Sequence, residues 1–196
     1  MDNETRIWTI LRSDFTQIAA AAIIGNLISE SALKPDNVQN SYENKLGSDK
    51  VYTERVDSGV YGREKFAKDG AGYGLAQWTH HSRKGALWDF MKITKGGYSI
   101  GDLDAQSEFI LLEIESNAKL FNDLNACTQL RQAVEIVLKR YERPADQSDA
   151  NVTRRTKNAQ GVLDRHATVS TDATKEQIKK ALSALDEART ILEGLI

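Results

Sequence analysis

The stretch FTQIAAAAIIGNLISESALKP, residues 15–35, decides how the rest of the chain is read. Phe15, Ile18, Ala22, Ile23, Asn26 and Glu30 follow steps of three and four, so they share one face of a helix that Ile24 and Leu27 widen. Ser13 or Asp14 supplies an N-cap, and the extended bias before Pro35 ends the helix near Leu33. Glu30 falls in the last turn, on or beside the inward face. A carboxylate there meets the negative end of the helix dipole, an effect of about 0.3–1 kcal/mol and so less than one pKa unit. Burial beside Phe15, Ile23 and Leu27 has to supply the rest if the group is to stay protonated near neutral pH. The plain alternative is a surface acid at a helix end, or one paired with an arginine.

The chain around this helix has 196 residues, enough for one well-buried core and an appendage. With 40% hydrophobic and 28% charged residues it has the composition of an ordinary globular protein. A formal net charge of −2 gives no sign of a nucleic-acid or anionic-membrane surface, and leaves an uncharged polymer open as substrate. Its one cysteine, Cys127, excludes an internal disulfide framework. No segment reaches the roughly 18 apolar residues of a membrane span. MDNETRIWTILRSDF, at the N-terminus, lacks a basic region and a small-residue cleavage site and does not read as a secretory signal.

Residues 36–80 collect Gly, Asn, Asp, Ser and Tyr and lose helical periodicity. Within them VYTERV and VYGREKF flank Asp57, Ser58 and Gly59, the pattern of a short β-hairpin. GAGYGLAQWT, residues 70–79, then reads as a loop lining a cleft, since its glycines permit close backbone approaches. Helices resume over about Arg83–Ile93, with Ala86, Leu87 and Phe90 inward, and over Asp104–Asn117, with Phe109, Leu112 and Ile114 together. Two more cover Leu130–Tyr141 and the stretch from Asp146 towards His166. After the linker-like ATVSTDAT, a final amphipathic helix carries Ile178, Leu182, Leu185, Leu192 and Ile196 near a heptad spacing. It can pack on its own domain, pair with a second chain as a homo-oligomer, or lead to a further domain.

Rival chemistries are weakly encoded. His80 and His81 are adjacent and diverge in space, and no HExxH or paired-cysteine spacing accompanies them, so no metal is expected. Cys127 with His166 as base lacks any nucleophile motif. In YERPADQS, residues 141–148, Glu142, Arg143 and Asp146 read mainly as helix-terminus and charge-pair residues in a turn that braces the cleft.

Four blocks, AAAIIGNLISESALKPDNVQNSYENKLG, RVDSGVYGREKFAKDGAGYGLAQWTHHSRKGALWDF, IGDLDAQSEFILLEI and YERPADQS, resemble the phage tail lysozyme family, in that family's order and over about residues 18–165. The resemblance implies a mainly α, lysozyme-like fold with the small hairpin insert, over residues 1–168, and residues 169–196 as linker and appended helix. It implies cleavage of peptidoglycan between N-acetylmuramic acid and N-acetylglucosamine, with Glu30 as general acid and no cofactor. GYGLAQWT is similar to the segment that lines the glycan cleft opposite the acid in goose-type lysozymes. By that likeness Gln77 binds substrate and Tyr73 or Trp78 offers a sugar-stacking face, with Gln39 a further substrate-binding candidate. The second carboxylate is expected from the insert: Asp69 first, because goose-type enzymes carry an aspartate shortly before this block, then Asp57, with Glu54 and Glu64 behind. A lytic transglycosylase needing Glu30 alone and a noncatalytic glycan-binding structural protein remain as alternatives. The expected setting is a host cytoplasm with holin-dependent release, or a virion tail.

Overall fold

The computed structural model describes residues 1–166. Residues 1–162 form one compact unit and residues 163–196 a second, of which only the helical residues 163–166 are described. The appended helix expected over residues 169–196, and any oligomer built on it, lie outside the described residues.

The fold is mainly helical, as the periodicity predicts. Helices α1 (Asn3–Leu11), α2 (Gln17–Ser31), α3 (Glu43–Leu46), α4 (Asp49–Asp57), α5 (Arg63–Lys68), α6 (His81–Asp89), α7 (Leu103–Glu115), α8 (Ala118–Asn125) and α9 (Leu130–Ile136) follow in order. Residues 149–166 are also helical and form α10. The ends of α6 and α9 widen into π-helical turns, Phe90–Thr94 and Val137–Glu142. None of the described helices is long and apolar enough to cross a membrane.

The long helix α2 runs through the core. Residues 19–27 are all buried, so this helix is surrounded and not merely one-faced. Its N-cap is Thr16, whose hydroxyl accepts from the Ala19 N–H, and not Ser13 or Asp14. Those two residues instead lie in the turn that closes α1, where the backbone N–H groups of Asp14 and Phe15 both bond to Leu11. At the other end Ala32 and Leu33 both take left-handed torsions, stopping the helix two residues before the expected Leu33.

Small side chains set how closely the other helices approach α2. A Cβ on Gly25 would lie 2.6–2.7 Å from Cβ, N and Cα of Ala159 on α10. Because two of those atoms are backbone, the contact has no cheap relief. Gly25→Ala is therefore expected to destabilise the fold by about 1–3 kcal/mol despite the better helix propensity of alanine. Urea unfolding measures it, and an unchanged midpoint would show that α10 is not held at this distance.

The expected hairpin is absent. Among the described residues there is no strand, only isolated antiparallel bridges pairing Val38 with Tyr73 and Tyr73 with Trp78. VYTERVD is helix α4 and REKFAK helix α5. The β-branched and aromatic composition favoured strands, but the buried residues Tyr52 and Val56 stand four apart, which is a helical spacing. Two inward assignments also change: Ala86 is exposed and Leu112 is 46% exposed. Lys84 and Gly85 occupy the inward face of α6 in their place.

Candidate active site

A cleft of about 1040 Å³ opens beside the last turn of α2, lined by Glu30, Gln77, His80, Arg83, Glu113 and Glu142 among others. Glu30 reaches it from a turn that is only partly covered, its side chain 18% exposed. The other side of that carboxylate is ionic and not apolar: it meets an arginine, the pairing that the sequence offers as the plain alternative. Arg155 of α10, 4% exposed, donates from Nη2 to Glu30 Oε1 at 2.6 Å. The same guanidinium donates from Nη1 to Asn26 O and Oδ1 at 3.3 and 3.1 Å, and from Nε to Asn151 Oδ1 at 3.1 Å. Asn26 and Glu30, one helical turn apart, thus form a polar clasp for a buried cation that would be costly without them.

The GYGLAQWT loop is bound to this turn. Ser31, next to Glu30, donates from Oγ to the Leu75 carbonyl at 2.9 Å. The loop is closed by reciprocal backbone bonds between Tyr73 and Trp78, 3.2 and 3.0 Å. From behind, Gln106 of α7 accepts from the Leu75 N–H at 2.8 Å and donates to Pro35 O and Ile100 O, both at 2.6 Å. Gln106 touches Gly74 so closely that a Cβ there would lie 2.6 Å from its Oε1. Gln77 sits at φ 44° and donates from Nε2 to Asn37 O and Gly74 O at 3.0 and 3.1 Å, and its Oε1 lies over Gly72, 2.7 Å from where a Cβ there would stand.

Backbone strain concentrates around the cleft. Among the described residues the non-glycine positions with positive φ are Ala32, Leu33, Gln77 and Arg143. Ala32 and Leu33 close the helix whose last turn carries Glu30, and the other two line the cleft. Each such conformation costs of order 1 kcal/mol or more and persists where the surrounding structure enforces it, commonly at functional sites.

Of the sequence-proposed residues, Glu30, Gln77 and Gln39 line the cleft together. Gln39 is engaged by the loop: its N–H and Oε1 bond to Gly72 O and N, 2.9 and 3.0 Å. Tyr73 and Trp78 do not line it. They are directly opposed across the antiparallel bridge, so both rings point to one side of the loop, the core. Both are fully buried, Tyr73 against Tyr52 and Phe66 with its hydroxyl 2.7 Å from Thr53 Oγ1, Trp78 against Phe109. The stacking role expected for either is corrected to packing.

Neither proposed aspartate faces Glu30 across the cleft. Asp69 is 5% exposed and takes Lys84 Nζ and the Tyr52 hydroxyl, each at 2.5 Å, plus the Ala71 N–H at 2.9 Å. Lys84, with no exposure, spends its three protons on Asp69, Tyr52 Oη and Ala71 O. Burial pushes the Lys84 pKa down while the Asp69 hydrogen bond pulls it back up. Asp57 takes Lys92 Nζ, Ser99 Oγ and the Ile100 N–H at 2.7, 2.5 and 2.9 Å, fixing the loop ahead of α7. Glu54 and Glu64 make surface pairs with Lys50 and Lys68.

The carboxylates that do line the cleft with Glu30 are Glu113 and Glu142. Glu113 is fully engaged: Arg83 binds it with two donors at 2.8 and 2.7 Å, and Trp78 Nε1 and the Tyr141 hydroxyl add bonds at 2.8 and 2.7 Å. Glu142 differs. Its Oε1 is buried without a hydrogen-bond partner, although the residue as a whole is half-buried. It ends the π-helical turn Val137–Glu142, closed by a bond from the Arg143 N–H to Leu138 O at 2.8 Å. Burial first, then the charge of Glu30, push the Glu142 carboxyl well above the usual carboxylate range, against the opposite pull of Arg83 and Arg155. Glu142 was visible in YERPADQS, but nothing in the local pattern separates an unpartnered acid from a capping one.

His80 caps α6 by accepting from the Ser82 N–H and stacks on His81 at 4.4 Å. Among the described residues no group of three or more His, Cys, Asp or Glu is placed to hold a metal ion. Cys127 is buried, donates to Asp123 O at 3.2 Å, and has its thiol pKa pushed up by burial and by the Asp123 charge. Comparison with known proteins gives a family match: the model described as phage tail lysozyme matches residues 2–165. No curated protein matches the chain.

Proposed function

The chain belongs to the phage tail lysozyme family, which makes it a peptidoglycan-lytic, glycosidase-type protein, and from that premise we propose that it is an N-acetylmuramidase using Glu30 as general acid. It would cut the bond between N-acetylmuramic acid and N-acetylglucosamine. The observation that carries this reading is the joining of two elements at one cleft: Glu30 at the end of the buried α2, and the Gln77 loop tied to the next residue through Ser31. A glycosidic bond breaks when its leaving oxygen receives a proton, and an acid on a rigid helix beside a glycan-sized cleft suits that task. The Gln77 Oε1 acceptor would take a hydrogen bond from a sugar hydroxyl or amide.

The test is digestion of Gram-positive peptidoglycan by the purified chain, with the released fragments weighed by mass spectrometry. New reducing muramic ends are expected. Anhydromuramic ends would make it a lytic transglycosylase, reducing glucosamine ends a glucosaminidase, and absence of release a binding protein.

A further inference from the structure

If the cleft cleaves glycan, one proton is unaccounted for, and the role inferred for Glu142 rests on that reading of the cleft. Arg155 donates to Glu30 at 2.6 Å, so one oxygen of the proposed acid is already held by a cation. The leaving oxygen needs a proton delivered and the attacking water needs a base, so a second carboxyl at the cleft has a task to fill. Lys84 neutralises Asp69, and Lys92 meets Asp57, both away from the cleft. Within the cleft, Glu113 is saturated by Arg83, Trp78 and Tyr141. We propose that Glu142 is the second catalytic carboxyl, holding the proton between turnovers, passing it to Glu30 and then serving as the base for the attacking water.

Three structural facts converge on Glu142. It lines the same cleft as Glu30, its Oε1 is buried with no partner, and the backbone is bent around it by a π-helical turn followed by the left-handed Arg143. A buried, unsatisfied carboxylate is costly, and a carboxylic acid at the same place is less so. Two carboxyls lining one cleft compete for ionisation and can share one proton, and here Glu30 has the Arg155 guanidinium as a donor while Glu142 Oε1 has none. Arg83 and Arg155 oppose the protonated form of Glu142, and Glu30 and Glu113 favour it. His80 from the start of α6, and Arg140 and Arg143 of its own segment, also line the cleft.

The cycle closes in atoms and charge. Glu142 gives its proton to Glu30, which gives it to the glycosidic oxygen as the C1–O bond breaks with its electron pair on oxygen. Water adds to C1 and loses its proton to the Glu142 carboxylate, while Glu30 returns to Arg155. One water is consumed, and both carboxyls end as they began.

The experiment is the pH–rate profile of Glu142→Gln against wild type, from about pH 4 to 9, on Gram-positive peptidoglycan. The variant is expected to lose about 100-fold near pH 7 and to recover part of that towards pH 4–5, because Glu30 must then take its proton from solvent. A rate within threefold of wild type at every pH, or a loss equal at every pH, overturns the proposal. Stability gives a second readout. A carboxyl whose folded pKa is raised contributes stability that is present below the unfolded value, 4.5, and is lost as pH rises through the folded value. The Tm of Glu142→Gln should accordingly gain on wild type as pH rises above 4.5. If that variant does not fold, wild-type protein with ¹³C-labelled glutamate carboxyls decides: one carboxyl must titrate well above the others and fall back in Glu30→Gln. A spectrum with every glutamate in the ordinary range overturns the proposal. Wild type without glycosidase activity, or an active Glu30→Gln, defeats the reading of the site itself; an inactive Glu30→Gln beside a normal Glu142→Gln defeats only the role of Glu142.

Discussion

Glu30→Gln is expected to slow release of glycan fragments by about 10³-fold, within the 10²–10⁴ range of a lost general acid. Glutamine keeps the size of the side chain and an acceptor for Arg155, but it has no proton to give the leaving oxygen. The substitution removes the charge facing a guanidinium only 4% exposed, yet that guanidinium keeps its bonds to Asn26 and Asn151. Glu30 itself opens to the cleft, so a stability loss of about 1–2 kcal/mol is expected, less than for a fully buried pair. Fragment release is measured alongside thermal unfolding. A folded variant that works within tenfold of wild type removes Glu30 from the chemistry.

The largest stability effect is expected at Asp69, the residue first suggested as a catalytic partner. Asp69→Asn leaves the Lys84 ammonium buried without its counter-charge, a change worth about 3–5 kcal/mol. For a chain of this size that is a Tm lower by roughly 10 °C. The loss should shrink at alkaline pH: an unpaired buried lysine binds its proton less tightly than the unfolded chain does, so stability rises as pH passes its lowered folded pKa. Replacing both partners, Asp69→Leu with Lys84→Met, should recover much of the deficit, since two apolar groups leave nothing unpaired. A screen of lysis alone would score Asp69→Asn as catalytic. Specific activity of the folded variant at low temperature separates the two roles, and a 100-fold loss at unchanged Tm would restore Asp69 to the mechanism.

These residues show where local sequence stops informing. Tyr73 and Trp78 are aromatic residues in a cleft-forming loop, and their identities say nothing about which side of the loop they face. The bridge between them sets that, and it sends both to the core. Asp57 stands in the expected hairpin turn and Asp69 just before the glycine loop, positions that say nothing about which cation each one meets. Their partners Lys92 and Lys84 lie on the inward side of a later helix and its π-helical continuation. The hairpin failed for a related reason: valine and tyrosine favour strands in general, while the spacing of Tyr52 and Val56 records the packing that α4 found.

The sequence by itself determined the mainly helical class, the buried helix with Glu30 in its last turn, the cleft loop carrying Gln77, and the family, because these rest on periodicity and on motifs contiguous in the chain. Only the tertiary structure decided what surrounds Glu30. Arg155 lies 125 residues downstream and reaches Glu30 through the packing of α10 on Gly25, while Glu142, more than a hundred downstream, lines the cleft at the end of a π-helical turn. Ionisation depends on charges and burial within a few ångströms in space, which separation along the chain does not encode.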